Sequence, residues 1–156
     1  MQRSIADLLA HHDVFNGLPP DDLALIAGCG QNTVVAAGTY LFREGDPADT
    51  FFVLREGRVA MEVFVPDRGP LVVDTAEQGE IVGVSWLFPP YRWQFDGRVV
   101  EPVRAIRLDG ACLRGKCEAD PRLGFELMKR FAAIMQRRMR SARLRLVDLY
   151  GGAHAR

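Results

Sequence analysis

No apolar run in this chain approaches the roughly 20 residues that a membrane span needs. The first fifteen residues carry acids and histidines where a secretory leader would need an apolar stretch. A cytoplasmic location with no membrane association is therefore expected. Cysteine is scarce. Cys29, Cys112 and Cys117 are too few and too scattered for a disulfide scaffold, and no histidine lies near the last two, so three buried free thiols are expected rather than a metal centre. Histidine is equally sparse, with His11 and His12 near the start and His154 in the tail. Without a Ser/Cys–His–Asp arrangement, a phosphate-loop signature or a metal motif, neither catalytic residues nor metal ligands are expected, and the chain does not read as an enzyme.

The net charge is zero, with 20 basic and 20 acidic residues, but the two signs are segregated. Residues 1–120 hold 11 basic and 18 acidic side chains, whereas residues 121–150 hold 8 basic and 2 acidic. At 156 residues the chain is long enough for a real core, and it reads as one domain in three parts: a helical lead-in over 1–32, a β-rich block over 33–108, and helices over 109–150.

Ser4, with Asp7 three residues on, predicts a capped helix over Ser4–Leu9, and Pro19-Pro20-Asp21-Asp22 opens a second helix that closes at Gly28. From Thr33 to Leu108 short β-rich runs alternate with Gly and Pro. Turns are expected at Ala37-Gly38, Gly45-Asp46-Pro47, Glu56-Gly57, Asp67-Arg68-Gly69 and Gln78-Gly79. This spacing implies an antiparallel sandwich or barrel, and a mainly β, α+β fold. A short helix is expected over Gly110–Glu118. Asp120-Pro121 then opens a long one that Gly151-Gly152 should end, about 45 Å of helix at 1.5 Å per residue. Its apolar stripe includes Met128, Phe131, Met135, Met139, Ala142, Leu146 and Leu149.

One segment concentrates the chemistry. Gly79–Val99 starts like a phosphate-binding turn, with Gly79, Glu80 and Gly83, because glycines let a backbone approach an anion closely. It then carries Trp86, Phe88, Tyr91, Trp93 and Phe95, five of the chain's 14 aromatics.

The motif LFREGDPADTFFVLREGRVAMEV at Leu41–Val63, with Gly45, Asp46, Phe51, Val53 and Gly57 at their usual spacing, resembles the cyclic nucleotide-binding domain family. GEIVG at Gly79–Gly83 looks like the opening of that family's phosphate-binding cassette, here 79–95. The resemblance spans Leu8 to Tyr150. It implies an antiparallel double-stranded β-roll, jelly-roll-like, with N-terminal helices and a long C-terminal helix, similar to a Crp/Fnr-like sensor domain without the helix-turn-helix. It also implies a homodimer through Gly124–Tyr150, with Met128, Phe131, Met135, Met139, Ala142, Leu146 and Leu149 in the seam. Only six residues follow that helix, so sequence-specific DNA binding is not expected.

The cassette departs from the pattern. The resemblance implies a glutamate for the ribose hydroxyl where this chain has Val84. It implies an arginine for the cyclic phosphate where the chain has Trp93, followed by Gln94 and Phe95. Arg92 lies one residue away and would substitute only if a bulge re-aimed it. The candidate ligand residues are therefore Gly79, Glu80, Gly83, Val84, Ser85, Arg92, Trp93 and Gln94, for a cyclic nucleotide or another small anionic or planar ligand.

Three readings of the aromatic cluster stay open: rings plugging the vacated pocket, a re-shaped pocket, or an exposed patch for a protein partner. The basic flank of the last helix could meet an acidic partner, anchor to the chain's own roll, or bind nucleic acid non-specifically. The expected function is a stand-alone regulatory module with weak or non-standard nucleotide binding that signals through a protein partner. A ligand-free interaction module, or a cyclic AMP or cyclic GMP binder using Arg92, is the alternative.

Overall fold

The computed structural model describes residues 3–154, with side chains described as far as Gly151. Helix α1 (Ile5–Ala10) starts on a reciprocal cap: the Ser4 hydroxyl accepts the Asp7 N–H at 3.1 Å, and the Asp7 carboxylate accepts the Ser4 N–H at 3.3 Å. Helix α2 (Pro20–Ala27) follows, and then six strands: β1 (Gly30–Val35), β2 (Tyr40–Phe42), β3 (Thr50–Val65), β4 (Gly69–Ala76), β5 (Ile81–Val82) and β6 (Asp96–Asp109). All pairings are antiparallel, in the order β1-β6-β3-β4, with β2 also on β6 and β5 on β3. The chain closes with α3 (Gly110–Ala119) and α4 (Pro121–His154).

One expected turn is instead internal to a strand. Glu56-Gly57 is not a reversal: β3 runs through it as a bulge, with the register against β6 shifting between Leu54 and Val59. Gly57 sits at φ +97°, and a Cβ there would lie 2.3 Å from the Pro102 carbonyl oxygen. The bulge also changes which side chains face inward. Before it, Phe51 and Val53 enter one core while Phe52 and Leu54 enter another. After it, Val59 and Met61 continue the second core at odd rather than even positions. The first core lies between the sheet, the lead-in helices, α3 and α4, and the second fills the roll between β2, β3 and β6.

Three further expectations need correction. Cys29 and Cys112 are not free: they form a disulfide across 83 residues, with Cα atoms 5.8 Å apart, because the end of α2 and the first turn of α3 meet beside the first core. Cys117 stays a thiol. The helix α4 runs through Gly151 and Gly152 to His154, since glycine costs an exposed helix only about 1 kcal/mol relative to alanine and does not forbid it. Phe131 does not belong to an outward stripe. It is 0% exposed and packs edge-on to Phe51 and Trp86.

Helix α4 is held by arginines that reach mostly for backbone. Arg122 makes a two-bond pair with buried Asp22 at 2.7 and 3.1 Å. Arg130 donates to the carbonyls of Val14 and Asn16, each at 2.7 Å. Arg138 donates to the Ile81 carbonyl, and Arg145 to the Val73 carbonyl and to Asp74. Arg137, Arg140 and Arg143 remain exposed.

Two predictions follow from this packing. Reducing the disulfide, or replacing Cys29 by serine, should lower stability by about 2–4 kcal/mol, because the link constrains a long unfolded loop; denaturant melts with and without a phosphine reductant measure it. His12 sits against the Gly79 backbone with its Nδ1 accepting the Val14 N–H at 3.2 Å, and burial holds its pKa below the ordinary value of 6.5 despite opposing effects from Asp13 and Gly79. A histidine depressed in the folded state is protonated first in the unfolded one. Stability should therefore fall as pH drops below 6.5, by at most about 1.4 kcal/mol per pH unit from this group. Urea melts at neutral and mildly acid pH should show a shallower loss in His12→Asn, whose amide oxygen can still accept the Val14 N–H.

Candidate functional site

The two segments that carry the sequence signal meet in space. The turn at Gly45-Asp46-Pro47 lies against Tyr91–Trp93: Gly45 N–H donates to the Trp93 carbonyl at 2.8 Å, Trp93 N–H to Asp46 at 3.0 Å, and Ala48 N–H to Tyr91 at 2.7 Å. Pro47 and Arg92 form an isolated antiparallel bridge. This pairing fixes the direction of each side chain in turn. Arg92 points out, where it is exposed and donates to the Gly45 carbonyl at 3.3 Å. Gln94 is exposed too, its amide on the Arg92 carbonyl at 3.1 Å. Trp93, between them, points in.

The Trp93 indole is 2% exposed. It stacks on Phe42 with centroids 3.6 Å apart and planes 6° from parallel, and meets Phe95 edge-on at 6.4 Å. On its other side lies Gly83, at φ +108°, where a Cβ would come within 2.5 Å of the ring. The second cassette glycine is thus required by an indole packed on the backbone.

Gly79, at φ +84°, turns the chain into β5; its N–H donates to the Leu54 carbonyl at 2.9 Å. Glu80 follows, its carbonyl accepting the Leu54 N–H at 2.9 Å, while burial pushes its carboxyl above the ordinary range against the pull of Arg138. Val84 heads a single 3-10 turn, Ser85–Leu87, and its half-buried side chain packs on the first core. Ser85 is half-buried in the same turn. Trp86 is 0% exposed, stacked on Phe51 at 4.7 Å and edge-on to Phe131 at 5.3 Å. Arg114 of α3 donates to the Trp86 carbonyl and lies over the Tyr91 ring at 4.1 Å.

The candidate residues are therefore not gathered round one void. Trp93 and Gly83 face the roll interior, Arg92 and Gln94 face solvent, and Val84 and Ser85 lie by the first core. Two concavities flank α4 instead. One, of about 380 Å³, includes Gly79, Glu80, Arg137 and Arg138. The other, of about 560 Å³, is formed by α4 residues from Gln136 to Arg143. Neither includes Val84, Arg92 or Trp93. Arg137 and Arg138 were visible in the sequence only as members of a basic flank.

The sequence profile of the cyclic nucleotide-binding domain matches residues 33–120. A CRP-like cAMP-activated global transcriptional regulator of Mycobacterium tuberculosis is 24% identical over 143 residues, which cover 92% of this chain and 62% of the relative. The chain thus spans less than two thirds of that relative's length. A solved protein from Geobacter metallireducens superposes with a TM-score of 0.77 at 30% identity, covering 88% of this chain and 99% of that one. The regulatory domain of Toxoplasma gondii PKA, solved with cAMP, shares the fold at a TM-score of 0.62 and 20% identity, covering 72% of this chain and 42% of that one. The Gly45–Pro47 turn, the cassette it pairs with and the matching profile together place this chain in the cyclic nucleotide-binding domain family.

Proposed function

We propose that this chain is a regulatory module whose inner cassette is closed by its own aromatic rings, so that it does not hold a cyclic nucleotide by the family's two polar contacts. The observation that carries this reading is the Trp93 indole wedged between Phe42 and Gly83. A phosphate seated there would have to displace the ring and would meet no inward cation, since Arg92 faces the Gly45 carbonyl. Val84 offers no acceptor for a ribose hydroxyl. Two missing charge-assisted hydrogen bonds amount to about 3–6 kcal/mol, or two to four powers of ten in affinity. The module has no catalytic step, and its output runs through a protein partner.

The exposed apolar stripe of α4 supports a homodimer as the working form. At 100° per residue the helix divides into three stripes. Leu123, Leu127, Phe131 and Ile134 face the chain's own core. Met128, Met135, Met139, Ala142, Leu146 and Leu149 lie about a quarter turn away; Met139 is 68% exposed and Leu149 70%. Arg137, Arg140 and Arg143 form the third, on average more than a third of a turn from the second.

Both readings are testable. Both tryptophans sit in the cassette, so intrinsic fluorescence during titration with cyclic AMP and cyclic GMP should stay flat to about millimolar ligand; a saturable shift overturns the closed cassette. Leu146→Glu should convert a dimer to a monomer by light scattering with helix content unchanged, because its side chain is 55% exposed within the chain. An unchanged mass for that variant, or a monomeric parent, overturns the seam.

A further inference from the structure

The cleft between α4 and the opening of the cassette is separate from the closed roll interior. Gly79, Glu80 and Ile81 form one wall, and Arg137, Arg138 and Ser141 the other, around about 380 Å³. That volume falls within the roughly 300–1,000 Å³ of small-molecule sites. The helix brings two guanidiniums, and the facing loops bring the carboxylates of Glu80 and Asp13, with Asp74 at the margin.

These charges are not spent on one another. Among the described residues neither Arg137 nor Arg138 has a carboxylate within 4.0 Å. Asp74, at the margin of the cleft, is engaged by Arg145 at 2.9 Å and by the Thr75 N–H at 2.8 Å. Arg138 gives one amino group to the Ile81 carbonyl, which leaves donors over from a five-donor guanidinium. Burial and the neighbouring Arg137 hold its pKa below the ordinary arginine value, with Asp74 and Glu80 acting the other way. A desolvated charge without a direct partner is costly, and a bound counter-charge relieves that cost.

We propose that this cleft binds a small phosphorylated molecule bearing hydroxyl groups, its phosphate between Arg137 and Arg138 and its hydroxyls donating to Glu80. Paired guanidiniums match a phosphate in geometry as well as charge. Inorganic phosphate alone would face Glu80 across the cleft as a like charge. A sugar spacer removes that conflict and gives the carboxylate donors to accept, while Ser141 and Thr75 add hydroxyls at the margin. The ligand would then bridge the cassette opening to α4. This site goes beyond the closed-cassette reading and does not depend on it.

The test is calorimetric titration of the full chain with ribose 5-phosphate, AMP and inorganic phosphate at low salt. Ribose 5-phosphate, AMP or both should bind saturably and about tenfold or more tighter than inorganic phosphate; which of the two binds better separates a sugar phosphate from a nucleotide. Arg137→Gln, at an exposed position, should weaken binding about tenfold with an unchanged melting curve. Glu80→Ala should abolish the preference over inorganic phosphate. The proposal is overturned by the absence of saturable binding of all three. It is also overturned by binding that survives Arg137→Gln and Arg138→Gln together, or by inorganic phosphate binding as well as the sugar phosphate. Cyclic nucleotide binding that persists in Arg137→Gln would count against the closed cassette and leave this site untouched.

Discussion

The antiparallel ladder of β3 on β6 is the constraint on which the rest of the molecule depends. It separates two apolar cores and contributes side chains to both, Phe51, Val53, Ile106 and Leu108 to one and Phe52, Leu54, Val103 and Ala105 to the other. A strand buried on both faces reads as a near-continuous apolar run rather than a strict alternation. The bulge at Gly57 lets the ladder bend, and the contact with Pro102 shows how close the two backbones come there. The cassette is stitched across this partition, with Trp86 in the first core and Trp93 in the second. Only the stretch between them, Phe88–Arg92, is free of both cores.

That double anchorage limits what a ligand could do inside the roll. Extracting a buried aromatic side chain leaves a cavity whose cost is of the order of 3–5 kcal/mol by analogy with truncation to alanine. A ligand can shift an equilibrium only by its difference in affinity between the two states. A nucleotide entering the roll would therefore have to recover the cost of moving Trp93 without the inward cation and carboxylate that would provide the gain. The polar chemistry is displaced outward, to Glu80 on the loop and the arginines on α4, where no core must be opened.

Much of the fold could be read from the sequence because its signals are local. The cap at Ser4, the proline start of α2, the Gly45–Pro47 turn and the Asp120-Pro121 start of α4 each rest on residues within a few positions of one another. Glu56-Gly57 reads in the sequence as a reversal, since a bulge and a hairpin turn both call for a glycine at positive φ. The pairing of Cys29 with Cys112 had no sequence signal across 83 residues. Nor did the anchors of Arg130 and Arg138, because their acceptors are backbone carbonyls and a carbonyl carries no residue identity. Spacing alone put Phe131 in the seam, as heptad position cannot tell two apolar stripes a quarter turn apart.

Helix α4 is where the parts converge, and its attachment weakens along its length. Up to Ile134 it is held by buried side chains in the first core, with Arg122 and Arg130 bonded to the lead-in. At Arg138 the attachment passes to a single guanidinium on the cassette opening. Beyond it every side chain through Tyr150 is exposed, and the contact is Arg145 on the edge of β4. A helix with this much exposed apolar surface gains most of its stability by covering it, since isolated helical segments are marginal in water. The weakly attached half is also the half that carries most of the outward apolar stripe. Any event that strengthens or breaks the link at Arg138 therefore acts at the boundary between the half of the helix docked on its own chain and the half whose apolar surface the chain leaves open.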